Sequence, residues 1–331
     1  TVESSRAWTA EQSHEAALRL LDKIQPNIII DDGASFARLA SLERPELTAN
    51  LIGVAEETTS GVRAFQQMQE AGALTYPVVA VNDSVLKTGF DNAHGTGETC
   101  VTTMQRILGE HAFDGKNVTV IGYGPVGQGF ARRIRALGAE VTICDIDPVA
   151  SLKAVFDGFA AQDIDEALPC ADMVVSATGV RHTVTLEHMR AMHEGAALAV
   201  IGGIANEIAL DEVSDFTPQV NRDTAQLIVP DGPTLMLIAD GDGVNYTVGG
   251  GNPIEIMDLS FAVQASAVAY LLEHRGTLDH TLIRLDAATD QRIAASALKA
   301  RGYRASHAVE DNGYDWRLTR FAENDRENAD R

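Results

Sequence analysis

Short aliphatic runs that end in polar residues recur along the chain, separated by stretches with helical periodicity. A helical pattern over EQSHEAALRLLDKI leads into PNIIIDDG; ANLIGVAEETT follows, then the helical SGVRAFQQMQEAG, then YPVVAVND. Aliphatic runs without strict alternation mark strands buried on both faces, as in parallel sheets, and the helical stretches supply the crossovers. After a helix over GETCVTTMQRILGEH the cycle restarts. NVTVIGYG, EVTICDID, DMVVSATG and AALAVIGG read as strands, and PVGQGFARRIRALG, ASLKAVFDGF and TLEHMRAM as the helices between them. LIVPDG and TLMLIADG predict further strands, and IMDLSFAVQASAVAYLLEH a helix crossing back toward the first unit. The class is α/β with two parallel-sheet domains. Its divisions are a first domain over 1–95, a second domain over 96–247, a return to the first unit over 248–290 and a C-terminal extension over 291–331. From about Asp311 the chain is poor in aliphatics and rich in charge, which predicts a solvated tail.

Length agrees with two units, since 331 residues exceed the roughly 250 to 300 at which single cores stop growing. Forty-seven acidic against 26 basic residues give a net charge of -21, which opposes nucleic acid and anionic lipid as partners. The apolar runs read as shorter than the ~18 residues of a membrane span, so no membrane partner is expected. The three cysteines lack metal-ligand spacing, and Cys144, inside VTIC, reads as a small buried hydrophobe. No metal site is predicted, and a reducing cytoplasm is the expected location.

Chemistry concentrates where strands end. In parallel sheets ligands bind beyond the carboxyl ends of the strands, which is where DDG, EETT and NDSVLK all fall. VNDSVLKTGFDN crowds an amine, two carboxylates and two amides just past a buried strand. In the second unit GYGPVGQG follows a strand and opens a helix. Gly122 permits the tight turn, Gly124 lets backbone approach a pyrophosphate, and Gly127 lets helix pack on strand, with Gly129 two residues further. Pro125 and Val126 open that helix, and Thr178, Gly179, Ile201 and Gly202 close the third and fourth strands of this unit and join the cofactor set. Asp145 ends the strand about 20 residues on, where a carboxylate accepts ribose hydroxyls and repels a 2'-phosphate. The cofactor predicted is NAD rather than NADP, and both domains are then Rossmann-like.

VAEETTSGV, VNDSVLKTGFDN, GYGPVGQG and CDIDP, in this order, resemble the adenosylhomocysteine hydrolase family over roughly residues 25 to 275. That resemblance implies an NAD-dependent hydrolase or lyase. NAD oxidises the 3'-hydroxyl of a nucleoside, the ketone acidifies C4'–H, the 5'-substituent is eliminated, water adds, and the ketone is reduced again. It places Asp32 near C4' and the leaving group, Glu57 and Asp91 at the ribose hydroxyls and the lysine, Lys87 at the 3'-OH proton, and Asn82 and Asn92 as ordering residues. Thr58, Thr59 and Ser60 match the family's cofactor-binding hydroxyl run, and Asn245 its asparagine near the nicotinamide. Independently of the resemblance, lysine is a side chain whose proton affinity responds to burial and neighbouring charge. Oxidation at C3' makes C4'–H acidic, so a positioned carboxylate such as Asp32 suits a general base.

The resemblance has gaps. Thr96 stands where the family has cysteine, Gly203 where it has histidine, and Asn252 replaces the histidine of Gly-His-Pro. The expected substrate is S-adenosylhomocysteine by default. The alternatives are a paralogue eliminating another group, such as water, from a different nucleoside, and a non-catalytic NAD-binding regulator. His94 follows the polar segment and is a candidate proton donor. The family's assembly implies a homo-oligomer, dimer or tetramer, for which Tyr303, Tyr314 and Arg317 are the candidate C-terminal residues.

Overall fold

A computed structural model describes residues 8–307 except 205, 215, 220 and 221; the tail expected from Asp311, with Tyr314 and Arg317, lies outside the described residues. Helix α1 (Ala10–Ile24) precedes β1 (Ile28–Asp31), α2 (Ser35–Glu43), α3 (Pro45–Thr48), β2 (Gly53–Glu56), α4 (Thr59–Glu70) and β3 (Val78–Ala80). A π-helical segment (Lys87–Thr96) runs directly into α5 (Gly97–Leu108). The second unit continues through β4 (Asn117–Ile121), α6 (Pro125–Ala136), β5 (Glu140–Cys144), α7 (Pro148–Phe156), β6 (Ala160–Ala161), α8 (Ile164–Ala167) and β7 (Met173–Ser176). Then come α9 (Leu186–Ala191), β8 (Ala197–Val200), β9 (Thr224–Ile228), β10 (Thr234–Ile238) and α10 (Val244–Thr247). The chain returns through α11 (Ile254–Glu273), β11 (Leu282–Ile283) and α12 (Ala287–Ala300).

Two sheets result, one in the order β1-β2-β3-β11 and one in the order β6-β5-β4-β7-β8-β10-β9. Every strand pairing is parallel except β9 with β10. That exception departs from an all-parallel reading, and its cause is length. Val229–Pro233 closes on itself through Val229 N–H to Pro233 O at 3.1 Å and Gly232 N–H to Val229 O at 3.0 Å, which leaves room only for a hairpin.

Both faces of the second sheet are covered. Val118, Val120 and Val175 pack against Phe113, Phe130 and Ile134, while Val174, Leu198, Leu227 and Leu237 pack on the other side with Met189. Adjacent residues Val174 and Val175 thus bury on opposite faces, which is why the strands show no polar alternation. The first sheet is similar: Ile29, Val54 and Val78 meet Phe65 and Tyr76, and Ala55, Val79 and Val81 meet Val263, Ala267 and Leu271 of α11. With a mean hydropathy of 1.3, α11 is long and apolar enough to span a membrane by length and composition, contrary to the reading of shorter runs. Here its apolar side covers the first sheet.

The units meet backbone to backbone. A Cβ on Gly129 of α6 would stand 2.0 Å from the Ala93 carbonyl oxygen, and one on Gly97 2.9 Å from the Gly129 carbonyl carbon. The glycine-rich helix therefore rests directly on the π-helical segment.

Candidate active site

The loops after β1 and β2 are tied together from beneath. Asp31, 3% exposed, accepts from the backbone N–H groups of Phe36 (3.1 Å) and Ala37 (2.8 Å) in the first turn of α2. Glu56, fully buried, accepts from Gly33 N (3.0 Å), Ala34 N (2.9 Å), Thr58 N (2.8 Å) and the Thr58 hydroxyl (2.7 Å). Burial pushes the Glu56 carboxyl up to about 7 despite those donors. Gly61 gives it room, since a Cβ there would lie 2.2 Å from the carboxyl carbon. With the chain so held, Asp32 and Glu57 are the residues that follow each buried acid.

The π-helical segment gathers the amine. Lys87, 4% exposed, donates to Asp91 Oδ2 at 3.0 Å and to Asn92 Oδ1 at 2.8 Å. Those spacings of four and five residues converge because the wide π turn brings i+4 and i+5 onto one side. Asn92 Nδ2 donates in turn to Asn82 Oδ1 (3.2 Å), which also accepts from the Thr59 hydroxyl (2.9 Å). Asp91 is held from the other direction: Asn252 Nδ2 donates to its Oδ1, and Ser260 of α11 to its Oδ2 at 3.3 Å.

Glu57 stands in this cluster with neither carboxyl oxygen bonded. Burial pushes it up to about 7; Lys87 opposes the rise, and Asp91, Asp32 and Glu56 add to it. Asp32 is likewise raised by the surrounding protein, with Lys87 opposing and Asp91 adding. Its side chain opens to solvent at the cleft, so water blunts that shift. The arrangement is one buried ammonium among three carboxylates, of which Glu57 is buried with no donor among the described residues: a site suited to a ligand rich in hydroxyl groups.

The cofactor side lies across the cleft. Gly122 has φ +96° and Gly124 caps α6 with open space where its side chain would be. Gly127 would place a Cβ 2.0 Å from the Gly122 carbonyl oxygen, so turn and helix close only without one. Pro125 occupies the first turn of α6, and Val126 packs on the core beneath it. Asp145 accepts from Tyr123 N (2.6 Å) and Asp147 N (2.8 Å), fixing a carboxylate at the end of β5. Open backbone, a helix N-terminus and this acid fit a dinucleotide. On the far side of β4, Thr178 and Gly179 follow β7, and the buried Ile201 with Gly202 follows β8. Asn245 Nδ2 donates to Asn252 Oδ1 at 3.0 Å, and Asn252 Nδ2 reaches both Asp91 and, at 3.1 Å, the Thr96 hydroxyl. Asn252 therefore connects the cofactor side to the acid–base cluster.

Some predicted residues have local work as well. Thr58 caps α4 by accepting from Gly61 N (3.2 Å), and its hydroxyl also receives Gly33 N at 2.8 Å. Ser60 lies 3.2 Å from that hydroxyl. His94 faces Arg133, whose Nη2 is 3.3 Å from Nδ1, and the ring of Phe90 rather than the carboxylates. Tyr303 is exposed. Sequence reasoning passed over Glu56, Asp31 and Glu207, the last fully buried and bonded to Ser176 and Thr178. Glu56 was masked by its neighbour, though two successive acids ending an aliphatic strand predict that one points in and one out.

Fold and site define an NAD-dependent enzyme whose cofactor unit faces a carboxylate-rich ligand site on a second unit. Residues 92–251 match the model of the S-adenosyl-L-homocysteine hydrolase NAD-binding domain. An adenosylhomocysteinase of Thermotoga maritima is 37% identical over 313 residues, covering 94% of this chain and 77% of its own. One of Thermococcus kodakarensis is 37% identical over 309 residues, with 92% and 73% covered. An S-inosyl-L-homocysteine hydrolase of Methanothermobacter thermautotrophicus is 38% identical over 312 residues, again with 92% and 73% covered. The chain belongs to the adenosylhomocysteinase family.

Proposed function

We propose that this enzyme hydrolyses the thioether of an S-nucleosyl-homocysteine through transient oxidation at C3' of the sugar. The observation that carries the reading is Glu57, a buried carboxylate without a donor beside the Lys87–Asp91–Asn92 set. Bound NAD supplies a hydride acceptor. Glu57 accepts from a ribose hydroxyl, and Lys87, as the neutral amine after its own proton passes to Asp91 at 3.0 Å, receives the 3'-OH proton. Asp32, open to the cleft, takes the C4' proton once C3' is a ketone, and the 5'-thiolate leaves by elimination. Water then adds at C5' and a proton returns to C4'; reduction of the C3' ketone, with the proton on Lys87 going back to its oxygen, would leave the cofactor in its starting form. Relatives named for adenosyl and for inosyl substrates both support a purine base. A second reading keeps the oxidation and replaces the thiolate by water. It rests on Thr96 and Asn252, which stand at two of the family's cysteine and histidine positions and bond to each other.

A nucleoside substrate deuterated at C4' tests the mechanism. The wild type should lose the label to solvent, Lys87→Ala should suppress both NADH absorbance and label loss, and Asp32→Asn should allow NADH to appear while slowing exchange about 10²-fold or more. Retention of the label during turnover refutes the reading. Release of homocysteine from the adenosyl or inosyl thioether separates hydrolysis from dehydration, which instead accumulates a 4',5'-unsaturated sugar.

A further inference from the structure

Glu207 is fully buried, yet none of the steps above employs it. Its Oε2 accepts from the Ser176 hydroxyl at 2.5 Å, Thr178 N at 3.1 Å and the Thr178 hydroxyl at 3.2 Å, all at the carboxyl end of β7. Its Oε1 has no hydrogen-bond partner among the described residues and lies against Gly202 after β8, where a Cβ would stand 1.8 Å from it. One carboxyl group thus clamps the ends of β7 and β8. With the Asp145 carboxylate at the end of β5, on one side of β4, the nicotinamide half of a bound dinucleotide would extend toward β7 and β8 on the other, where Glu207 lies.

We propose that Glu207 is a proton-linked positioning residue, neutral in the empty site and a carboxylate once the cationic nicotinamide lies above it, so that NAD+ is held in preference to NADH. The inference rests on the placement of the nicotinamide over β7 and β8. The balance is simple: the carboxyl group releases one proton to solvent as NAD+ binds and takes one back when the ring becomes neutral, with no bond to carbon formed or broken. Burial raises the Glu207 carboxyl above the usual range, and the bonds from Ser176 and Thr178 pull it back. Several charged or titratable groups surround it. The Tyr246 phenol, raised by burial, by Asp242 and by Glu207 itself, donates to Asp242 at 2.8 Å. Arg63 of α4 reaches across the cleft to the Thr178 carbonyl oxygen at 3.0 Å. His182 pairs with Asp211 at 2.7 Å and with Glu212 at 3.6 Å in the adjoining loops.

The full chain, freed of nucleotide, is titrated with NAD+ and with NADH by calorimetry, in buffers of differing ionisation enthalpy between about pH 5 and 8. NAD+ should release up to about one proton and NADH none. Glu207→Gln should abolish the release and narrow the NAD+ over NADH preference about tenfold. Ser176→Ala, which keeps the carboxyl but removes one donor, should move the release to higher pH. Equal release by wild type and Glu207→Gln overturns the inference. If Glu207→Gln shows no cooperative unfolding, an unshifted release in Ser176→Ala overturns it instead. Binding of neither nucleotide overturns the cofactor placement along with it.

Discussion

Replacing Glu57 by Gln isolates the cost of ionising a buried carboxyl group beside Asp91 and Asp32. The carboxyl of Glu57 has an ordinary value of 4.5 and is pushed up to about 7 in the fold, chiefly by burial. In the unfolded chain the proton leaves near 4.5, whereas in the folded chain it stays until about 7. The stability associated with that proton is therefore complete below about pH 4.5 and lost as pH rises through about 7. At about 1.4 kcal/mol per pH unit the full loss is about 3 kcal/mol, and partial contact with the cleft reduces this to about 2. Glu57→Gln cannot ionise and escapes the loss. Denaturant unfolding of nucleotide-free protein should show Glu57→Gln more stable than wild type by about 2 kcal/mol at pH ~8, with the gap closing by pH ~4. Any cost of leaving the amide without a partner is the same at both pH values, so the difference between them reads ionisation alone. The same substitution should lower kcat/KM about 10²-fold, because the group that strains the empty fold is the one that accepts from the ribose. A stability difference between the two proteins that does not change between pH ~4 and pH ~8 refutes this account of Glu57.

Two further outcomes follow from the geometry. Asp145→Ser should relax the preference for NAD over NADP, measured as the ratio of their dissociation constants, by about tenfold or more, since a carboxylate at the ribose no longer opposes the 2'-phosphate. Asp290 of α12 accepts from the Ser84 hydroxyl at 2.7 Å and from Val85 N at 3.3 Å, pinning the loop that precedes Lys87. Asp290→Ala should cost about 1 to 2 kcal/mol in unfolding free energy and lower kcat more than it raises KM.

Much of this could be read from the chain because buried parallel strands are written as uninterrupted aliphatic runs, and the polar residues ending them mark the ligand face. GYGPVGQG was legible for the same reason: strand, glycines and helix occur together. The segment Lys87–Thr96 was not. Gly89, Asp91, Asn92 and Gly95 read as turn formers, and only burial of Lys87, Asp91 and Asn92 together makes a π-helix of them. Glu207 was hidden because a single acid in NEIAL has no periodicity, and its partners Ser176 and Thr178 lie about 30 residues earlier in sequence, joined only by the packing of β7 against β8. The two-residue β11 is too short for any pattern to announce.

That short strand governs the order in which the molecule is assembled during synthesis. β3 finds its outer neighbour only when Leu282 and Ile283 arrive, and Ala55, Val79 and Val81 still lack the packing of Val263, Ala267 and Leu271 until α11 is made. The second sheet, by contrast, draws every strand from the contiguous span between Asn117 and Ile238. On the ribosome the nucleotide-binding unit has all its strands while the first-made unit still waits with apolar surface bare, so the part of the chain that emerges first is the last to become native.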